Sequence, residues 1–317
     1  MTRSGVRLRF QQGVRTFKKQ IELQLFVLPA LAFVAVFSLA PLYGIQIAFK
    51  DYMFKKGITG SAWVGLKHFE ALLSDPQIPN VIINTVAVSA MKAFLIFPLP
   101  IIFALMLNEL RLQRFKRVVQ TISYFPYFIS WAVVSLMALS WFSPSKGFIN
   151  DFFVATGLMK EPYFFLGRPE AFWWVSVALE TWKNLGYAAI IYMAALSAVD
   201  MEIIEAAVID GAGRFMRIWH IFIPSILPTI MILFIINIGN LLGGGLYASN
   251  FQISYTLGNP LNLPTSEILD TYVLKVGIRM FRFSYATAVS LLSSVVSAIL
   301  LLSANKASKA LTGEGYF

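Results

Sequence analysis

Long uncharged apolar runs, separated by short polar segments, dominate the pattern of the chain. The first run extends from Leu23 to Phe49 and contains no charged side chain. About 20 apolar residues at a helical rise of 1.5 Å cross the hydrocarbon core of a bilayer, whereas the core of a signal peptide has only about 7 to 15. The run therefore predicts an uncleaved transmembrane helix.

Five further runs predict membrane helices in the same way. The second contains Lys92, Pro98 and Pro100, and prolines at this depth kink a helix and free backbone groups that neighbouring helices must satisfy. The expected spans cover residues 81–107, 118–142, 172–199, 225–246 and 283–302. The pattern predicts an all-α, polytopic integral membrane protein with about six transmembrane helices.

Basic residues predict how these spans are oriented. Residues 1–22 carry six Lys and Arg against the single acid Glu22, and residues 109–117 carry four against Glu109. Residues 143–171 balance three basic with three acidic side chains. Because cytoplasmic segments are enriched in Lys and Arg, both termini and residues 109–117 are predicted to be cytoplasmic, with the first segment touching anionic lipid.

Composition agrees with a membrane protein and excludes several other classes. Of the 317 residues, 57% are hydrophobic and 13% charged, against roughly 25% charged in a soluble domain. The net charge of +10 does not indicate a nucleic-acid partner, because the basic residues cluster beside apolar runs. The absence of cysteine excludes disulfides and thiolate chemistry, and His68 and His220 are too isolated to predict a metal site.

Residues 205–224 form a polar, amphipathic island between two long apolar runs. Asp200 is a plausible N-cap for a short helix, Glu202 suits the first turn, and Asp210 with Gly211 supplies the break. Small alanines and the following glycine keep one face shallow. The island is therefore predicted to receive a partner surface.

The spacing within this island resembles the cytoplasmic loop of the permease subunits of bacterial ABC importers. The matching positions are Glu205-Ala206-Ala207, Gly211, Ile221 and Pro224, with Ile223 where the family usually has Leu. Residues 124–131, 147–150, 257–260, 266–272 and 304–306 are similar to the LplB-like branch, which imports oligosaccharides and polysaccharides. The resemblance covers most of the chain.

This resemblance implies a type I ABC importer permease fold in the bacterial cytoplasmic (inner) membrane. It implies a cytoplasmic segment 1–22, a permease domain 23–304 with a coupling helix at about 200–222, and a cytoplasmic tail 305–317. The residues implied to couple to an ATPase are Glu205, Ala206, Ala207, Asp210, Gly211, Arg214, Ile221 and Pro224. The implied partners are a second homologous permease, two ABC ATPase subunits, an extracytoplasmic solute-binding protein and an oligosaccharide that is acidic in some branch members.

The same resemblance assigns the energy source to other subunits. The chain has no Gly-x4-Gly-Lys-Ser/Thr sequence, so ATP and Mg are expected on the ATPase subunits and no cofactor on this chain. It is expected to be a non-catalytic membrane subunit.

Polar residues within the spans are candidates for the translocation path, because charges at this depth are costly and face the protein interior or water. Glu180 and Lys183 are three residues apart, which predicts a local ion pair. The alternative is that Lys183, together with Lys92, lines the path and attracts anionic sugar units. The candidate path residues are Lys92, Tyr127, Trp131, Glu180, Lys183, Asn237, Asn240 and Tyr247.

Two other function classes fit the sequence less well. A secondary active sugar transporter normally has coupling carboxylates or paired broken helices, and only Glu180 lies at depth here. A membrane-embedded enzyme requires clustered His, Asp, Glu or Cys, which the spans lack. Neither class accounts for the spaced island.

Overall fold

A computed structural model describes residues 20–240 and 249–312, and the described chain is almost entirely helical. The chain divides into two compact units, Met1–His68 and Phe69–Phe317. The only sheet among the described residues consists of two very short antiparallel strands in the first unit. The prediction of an all-α fold is confirmed.

The first unit consists of one long helix followed by a small hairpin. The helix begins as Ile21–Val34 and continues through a π turn, Ala35–Leu39, and a 3₁₀ segment, Ala40–Phe49. Strands Lys50–Asp51 and Ala62–Trp63 then pair around the short helices Phe54–Lys56 and Gly57–Gly60. The large apolar side chains of the long helix are exposed, as expected for a helix surrounded by lipid or a partner.

The second unit contains the remaining helices. Their bounds are Lys67–Leu73, Ile78–Met91, Pro98–Asn108, Gln113–Tyr124, Trp131–Trp141, Phe148–Ala155, Pro169–Ser197, Met201–Ile209, Arg214–Arg217, Ile223–Gly239, Ser249–Leu257, Leu263–Ser266, Leu269–Leu274 and Phe283–Thr312. Short 3₁₀ segments lie at Phe125–Phe128 and Phe165–Gly167, and π turns at Lys92–Ile96, Ile218–Phe222 and Lys275–Arg279.

Four described helices are long and apolar enough to cross a membrane, and six spans result if two bent pairs each count as one. We number them span 1 (Gln24–Phe49), span 2 (Ile78–Asn108), span 3 (Gln113–Phe128 with Trp131–Trp141), span 4 (Pro169–Ser197), span 5 (Arg214–Gly239) and span 6 (Phe283–Ala310). The second bent pair joins span 4 to Met201–Ile209. About six spans were predicted, and this is confirmed.

Span 3 is broken, whereas the sequence predicts one continuous helix over 118–142. Its two halves meet at 102°. Pro126 lies in the 3₁₀ segment that ends the first half, and the Ser130 side chain accepts a hydrogen bond from the Val133 amide at 3.3 Å to begin the second. The first half also starts in the predicted basic loop, at Gln113.

Spans 5 and 6 differ from their expected bounds. Span 5 begins at Arg214 and not at 225, because the helix incorporates basic residues that the sequence assigns to a loop. The expected end of this span and the glycines at 243–245 lie outside the described residues. The last helix continues to Thr312 and so passes the expected start of the tail at 305.

Three π turns share one relation to a proline. A proline has no N–H, and its ring clashes with the carbonyl four residues earlier. A π turn, in which hydrogen bonds join residues five apart instead of four, widens the helix at that carbonyl. The prolines are Pro41, Pro98 and Pro224, and the carbonyls belong to Phe37, Phe94 and His220, each the middle residue of its π turn. In these three places the proline accounts for the local widening, whereas Pro29 and Pro228 lie inside α-helices without a π turn.

Buried amides fasten the segment 257–272 to the spans. Asn262 is fully buried and donates to the carbonyls of Leu166 at 2.8 Å and Leu257 at 3.1 Å. Asn84 of span 2 donates to the carbonyls of Pro264 and Glu267 at 2.9 and 3.0 Å. In the predicted orientation these contacts form a rigid scaffold on the extracytoplasmic side.

Asp75 ties the start of span 2 to the start of span 6. Its carboxylate accepts hydrogen bonds from the Tyr272 hydroxyl at 2.6 Å and the Tyr285 hydroxyl at 2.7 Å. Burial alone would raise the pKa of Asp75, but these hydroxyls, the Gln77 amide and the Arg282 charge outweigh it and hold the pKa below its ordinary value.

Candidate functional site: a cytoplasmic helix and an intramembrane cavity

The island predicted from sequence is a short, well-capped helix, Met201–Ile209. It leaves span 4 at 75°, and the Asp200 carboxylate caps it by accepting from the Glu202 amide at 2.9 Å. At its other end the Ala212 amide donates to the Ala207 carbonyl and the Gly211 amide to Val208, with Gly211 at φ +82°. These two hydrogen bonds terminate the helix, and the positive φ that they require at position 211 favours glycine. We call Met201–Ile209 the cytoplasmic helix.

The outer surface of the cytoplasmic helix is unoccupied by the rest of the described chain. None of its residues is buried, Glu205 and Ala206 are exposed, and Ile209 is 85% exposed. Phe215 just beyond it is 80% exposed. An exposed apolar patch of this kind beside a shallow alanine surface is typical of a protein-binding site.

The inner surface of the same helix is fastened to the membrane domain. Ile204 packs against a buried cluster formed by spans 2, 4 and 5. The members of this cluster include Ala104, Leu105, Ala189, Tyr192, Leu196, Phe222 and Ile226. A displacement of the cytoplasmic helix is therefore passed to three spans by close packing.

An intramembrane cavity of about 530 Å³ lies among spans 2, 4 and 5 and the helix Ser249–Leu257. Its volume falls within the roughly 300–1,000 Å³ of small-ligand pockets. Its polar lining residues are Ser89, Lys92, Glu180, Asn184, Asn237, Asn240, Ser249 and Asn250, among apolar side chains such as Phe97 and Leu233. Lys92, Glu180, Asn237 and Asn240 were predicted to be close to the path, and the structure brings these four to one cavity.

A buried ion pair joins spans 2 and 4 at this cavity. Lys92 Nζ lies 3.1 Å from Glu180 Oε2 and donates to Ser249 Oγ at 2.6 Å. Asn184 Nδ2 donates to the other carboxylate oxygen of Glu180 at 2.7 Å. The side chains of Lys92 and Glu180 are only 13% and 11% exposed. The prediction of a Glu180–Lys183 ion pair is wrong, because Glu180 faces span 2.

Lys183 occupies a different place from the one expected. It is 5% exposed and donates to the backbone carbonyls of Tyr127 at 2.6 Å and Pro126 at 3.5 Å. Its ammonium lies 5.2 Å from the Tyr127 ring and 5.5 Å from the Trp131 ring. Lys183 thus satisfies carbonyls freed at the break of span 3, and it is absent from the residues that line the cavity.

The remaining candidates are distributed around these two sites. Tyr127 stacks on Tyr187 with ring centroids 3.6 Å apart, and Trp131 packs against the core cluster of span 4. Tyr247 lies outside the described residues. Arg214 faces Glu109 at 3.7 Å. Pro224 follows a π turn that contains Ile221.

Sequence reasoning missed several residues of the cavity. Ser89, Asn184, Ser249 and Asn250 are ordinary polar residues of apolar helices, and only packing brings them together. The Asn250 amide oxygen is buried with no hydrogen-bond partner in the part of the chain that the structure describes, although its nitrogen donates to Ser89 Oγ at 3.3 Å. Among the described residues, no group of three His, Cys, Asp or Glu is placed to hold a metal ion.

Comparison with known proteins gives consistent matches over this whole architecture. Residues 96–309 match the family described as binding-protein-dependent transport system inner membrane component. The chain is 39% identical over 299 residues to the polygalacturonan/rhamnogalacturonan transport system permease protein YteP of Bacillus subtilis (strain 168), covering 94% of this chain and 91% of that protein. It is 38% identical to protein LplB of the same organism, covering 95% and 92%.

A solved structure agrees with these sequence matches. It is the crystal structure of a bacterial alginate ABC transporter in complex with alginate pentasaccharide-bound periplasmic protein. One of its chains superposes with a TM-score of 0.86 at 32% identity, covering 95% of this chain and 98% of that one.

Proposed function

The chain belongs to the family of binding-protein-dependent transport system inner membrane components, and on that premise we propose that it forms half of the path of an ATP-driven oligosaccharide importer. It is a multi-pass permease subunit of the inner membrane. Its relative YteP is named a transport system permease protein, which supports a non-catalytic role for this subunit. The other half of the path is a second, homologous permease.

The substrate we propose is an oligosaccharide with acidic units. The relative YteP is named for polygalacturonan and rhamnogalacturonan, and a second structural neighbour imports the acidic polysaccharide alginate. An extracytoplasmic solute-binding protein delivers the sugar to the outer side. The cavity supports this proposal because it combines amides that suit sugar hydroxyls with an ammonium that suits a carboxylate.

Within the cavity, the described residues have distinct roles in this proposal. Asn237 and Asn240 are exposed to the cavity and bind sugar hydroxyls. The Asn250 amide oxygen, which has no partner among the described residues, accepts a hydrogen bond from another sugar hydroxyl. Lys92 supplies positive charge, while Glu180 limits the cost of holding that charge in the membrane. Because Glu180 offsets its charge, the Lys92 ammonium binds a sugar carboxylate weakly enough for release.

The observation that carries the proposed function is the cytoplasmic helix, exposed on one side and packed on spans 2, 4 and 5 on the other. In our proposal this helix lies in a groove of one of two ATPase subunits, which hold ATP and Mg. Closure of the ATPase pair moves the helix as a rigid body, because both of its ends are capped. The motion then reaches the cavity through the packed cluster.

Reconstitution of the complex tests this function. The chain is purified with a candidate second permease and ATPase, placed in proteoliposomes, and assayed for ATP hydrolysis with and without sugar-loaded binding protein. We expect loaded binding protein to raise hydrolysis, and we expect Glu205→Arg to abolish that increase. Lys309→Glu, a charge reversal at an exposed residue of the last helix on the predicted cytoplasmic side, is the control and should leave it unchanged.

The same preparation separates the importer from a secondary active sugar transporter. Uptake that continues without ATP and stops when the ion gradient is collapsed would contradict the proposal. Uptake that needs ATP inside the vesicle and survives an ionophore supports it.

A further inference from the structure

An ion pair on the cytoplasmic side connects span 2 to the segment that follows the cytoplasmic helix. Glu109 directly follows the last helical residue of span 2, and Arg217 lies in the first turns of span 5. Arg217 Nη2 donates to Glu109 Oε2 at 3.4 Å, and both side chains are only 18% exposed. Arg214 approaches the same oxygen at 3.7 Å but is 61% exposed.

This ion pair differs in kind from the apolar contacts around it. The packing of Ile204 and Phe222 on the cluster is non-directional, so it permits sliding of one helix along another. A charge-assisted hydrogen bond fixes two atoms relative to each other. Arg217 Nε is buried with no acceptor among the described residues, so loss of the Glu109 carboxylate leaves a buried guanidinium without its counterion.

Span 2 leads from this ion pair to the cavity. Lys92 lies on the same span as Glu109, about 25 Å away at 1.5 Å per helical residue. The intervening helix, Pro98–Asn108, is continuous and packs closely against span 4. A displacement applied at Glu109 therefore reaches the end of the π turn that carries Lys92.

We propose that the Glu109–Arg217 ion pair makes span 2 follow the cytoplasmic helix, so that these two residues act as positioning residues that couple ATP hydrolysis to the opening of the cavity. This inference rests on the proposed function and goes beyond it. Arg214 contributes little to the coupling because it is solvated and farther from the carboxylate. The substrate is affected only through the movement of Lys92.

The first experiment uses the complete complex in proteoliposomes with Glu109→Gln, Arg217→Gln and, as the control, Arg114→Gln, which changes an exposed arginine of span 3. Basal ATP hydrolysis and subunit stoichiometry should stay within about twofold of the parent for all three. Stimulation of hydrolysis by sugar-loaded binding protein should fall about tenfold for the first two variants, a typical coupling effect, and persist in the control. The exchange Glu109→Arg with Arg217→Glu should restore it, because the pair is re-formed.

A second readout reports on the cavity itself. The chain has no cysteine, so Asn240→Cys places a single thiol in this subunit at the cavity wall. Its alkylation rate, followed by mass spectrometry of this chain, should change on addition of ATP in the parent complex. The change should be lost with Glu109→Gln and return in the exchanged pair, which a purely structural role would not produce.

Each outcome decides between the alternatives. Unchanged stimulation with Glu109→Gln, or an equal loss with Arg114→Gln, overturns the inference. If the single variants fail to assemble, the exchanged pair decides: full stimulation supports the inference and an assembled but unstimulated complex overturns it. If the parent complex itself is not stimulated, it is the proposed function that fails, and the two failures are distinguishable.

Discussion

Replacing Lys92 by Met should destabilise the protein strongly, because it leaves the Glu180 carboxylate buried in the membrane with Asn184 as its remaining hydrogen-bond donor. Breaking a buried ion pair by removing one partner costs about 3–5 kcal/mol. Lys92 also donates to Ser249, so the loss of that bond adds about 1 kcal/mol. We expect a decrease of about 4–6 kcal/mol in the free energy of unfolding.

The double variant Lys92→Met with Glu180→Gln should recover much of this loss. Removing both charges removes the desolvation cost together with the attraction, and such replacements are often nearly neutral. The coupling free energy from the double-mutant cycle should be at least about 3 kcal/mol, because each single variant leaves a lone buried charge and the double variant does not. The measurement is unfolding of the purified chain in mixed detergent by titration with a denaturing detergent, followed by tryptophan fluorescence.

A second cycle makes this result specific. Lys183→Met with Glu180→Gln tests the pairing that the sequence alone suggests. Because Lys183 donates to the carbonyls of Tyr127 and Pro126 and interacts with Glu180 only through space, we expect a smaller coupling than for Lys92 with Glu180. A larger coupling for Lys183 than for Lys92 would refute the assignment of the ion pair.

Three further predictions concern stability. Lys183→Met should lower the free energy of unfolding by about 2–3 kcal/mol, because it leaves the buried carbonyls of Tyr127 and Pro126 without their donor. Limited proteolysis at the break of span 3 should become faster. Gly186→Ala should cost about 1–3 kcal/mol, since its Cβ would lie 2.2 Å from the Ser123 carbonyl oxygen, whereas Gly44→Ala, with open space around it, should not. Because the pKa of Asp75 is depressed, its contribution to the free energy of unfolding is complete above the unfolded-state pKa of about 3.9 and is lost as pH falls through the folded-state pKa. Asp75→Asn should therefore make the melting temperature less dependent on pH over this acidic range.

The sequence predicted the spans and the cytoplasmic helix because both depend on local information. The length of an apolar run predicts a membrane helix. The spaced motif, with its N-cap and its glycine, predicts the start and end of the short cytoplasmic helix. Proline was a weaker guide. Pro98 is accommodated by a π turn within span 2, whereas Pro126 ends a helix, and only the neighbouring Lys183 makes that break stable.

Long-range pairing explains the other differences. Glu180 has an obvious partner three residues away, yet its ion pair is with Lys92 on another span, which depends on how spans 2 and 4 face each other. Span 5 starts earlier than predicted because the positive charge of Arg217 is offset by Glu109, a residue far away in sequence. Packing, which the sequence pattern does not encode locally, decided both cases.

The π turn at Lys92–Ile96 divides span 2 into two mechanically different halves. Above it, amides at Asn80 and Asn84 hold the helix to the segment 264–267. Below it, Glu109 at the end of the helix is attached to Arg217 of span 5. In the proposed importer we expect the turn, including Lys92, to move with the lower half during each catalytic cycle of the ATPases, while Ile78–Met91 stays still. On that proposal the outer surface remains a fixed landing platform for a delivery protein even as the floor of the cavity opens and closes.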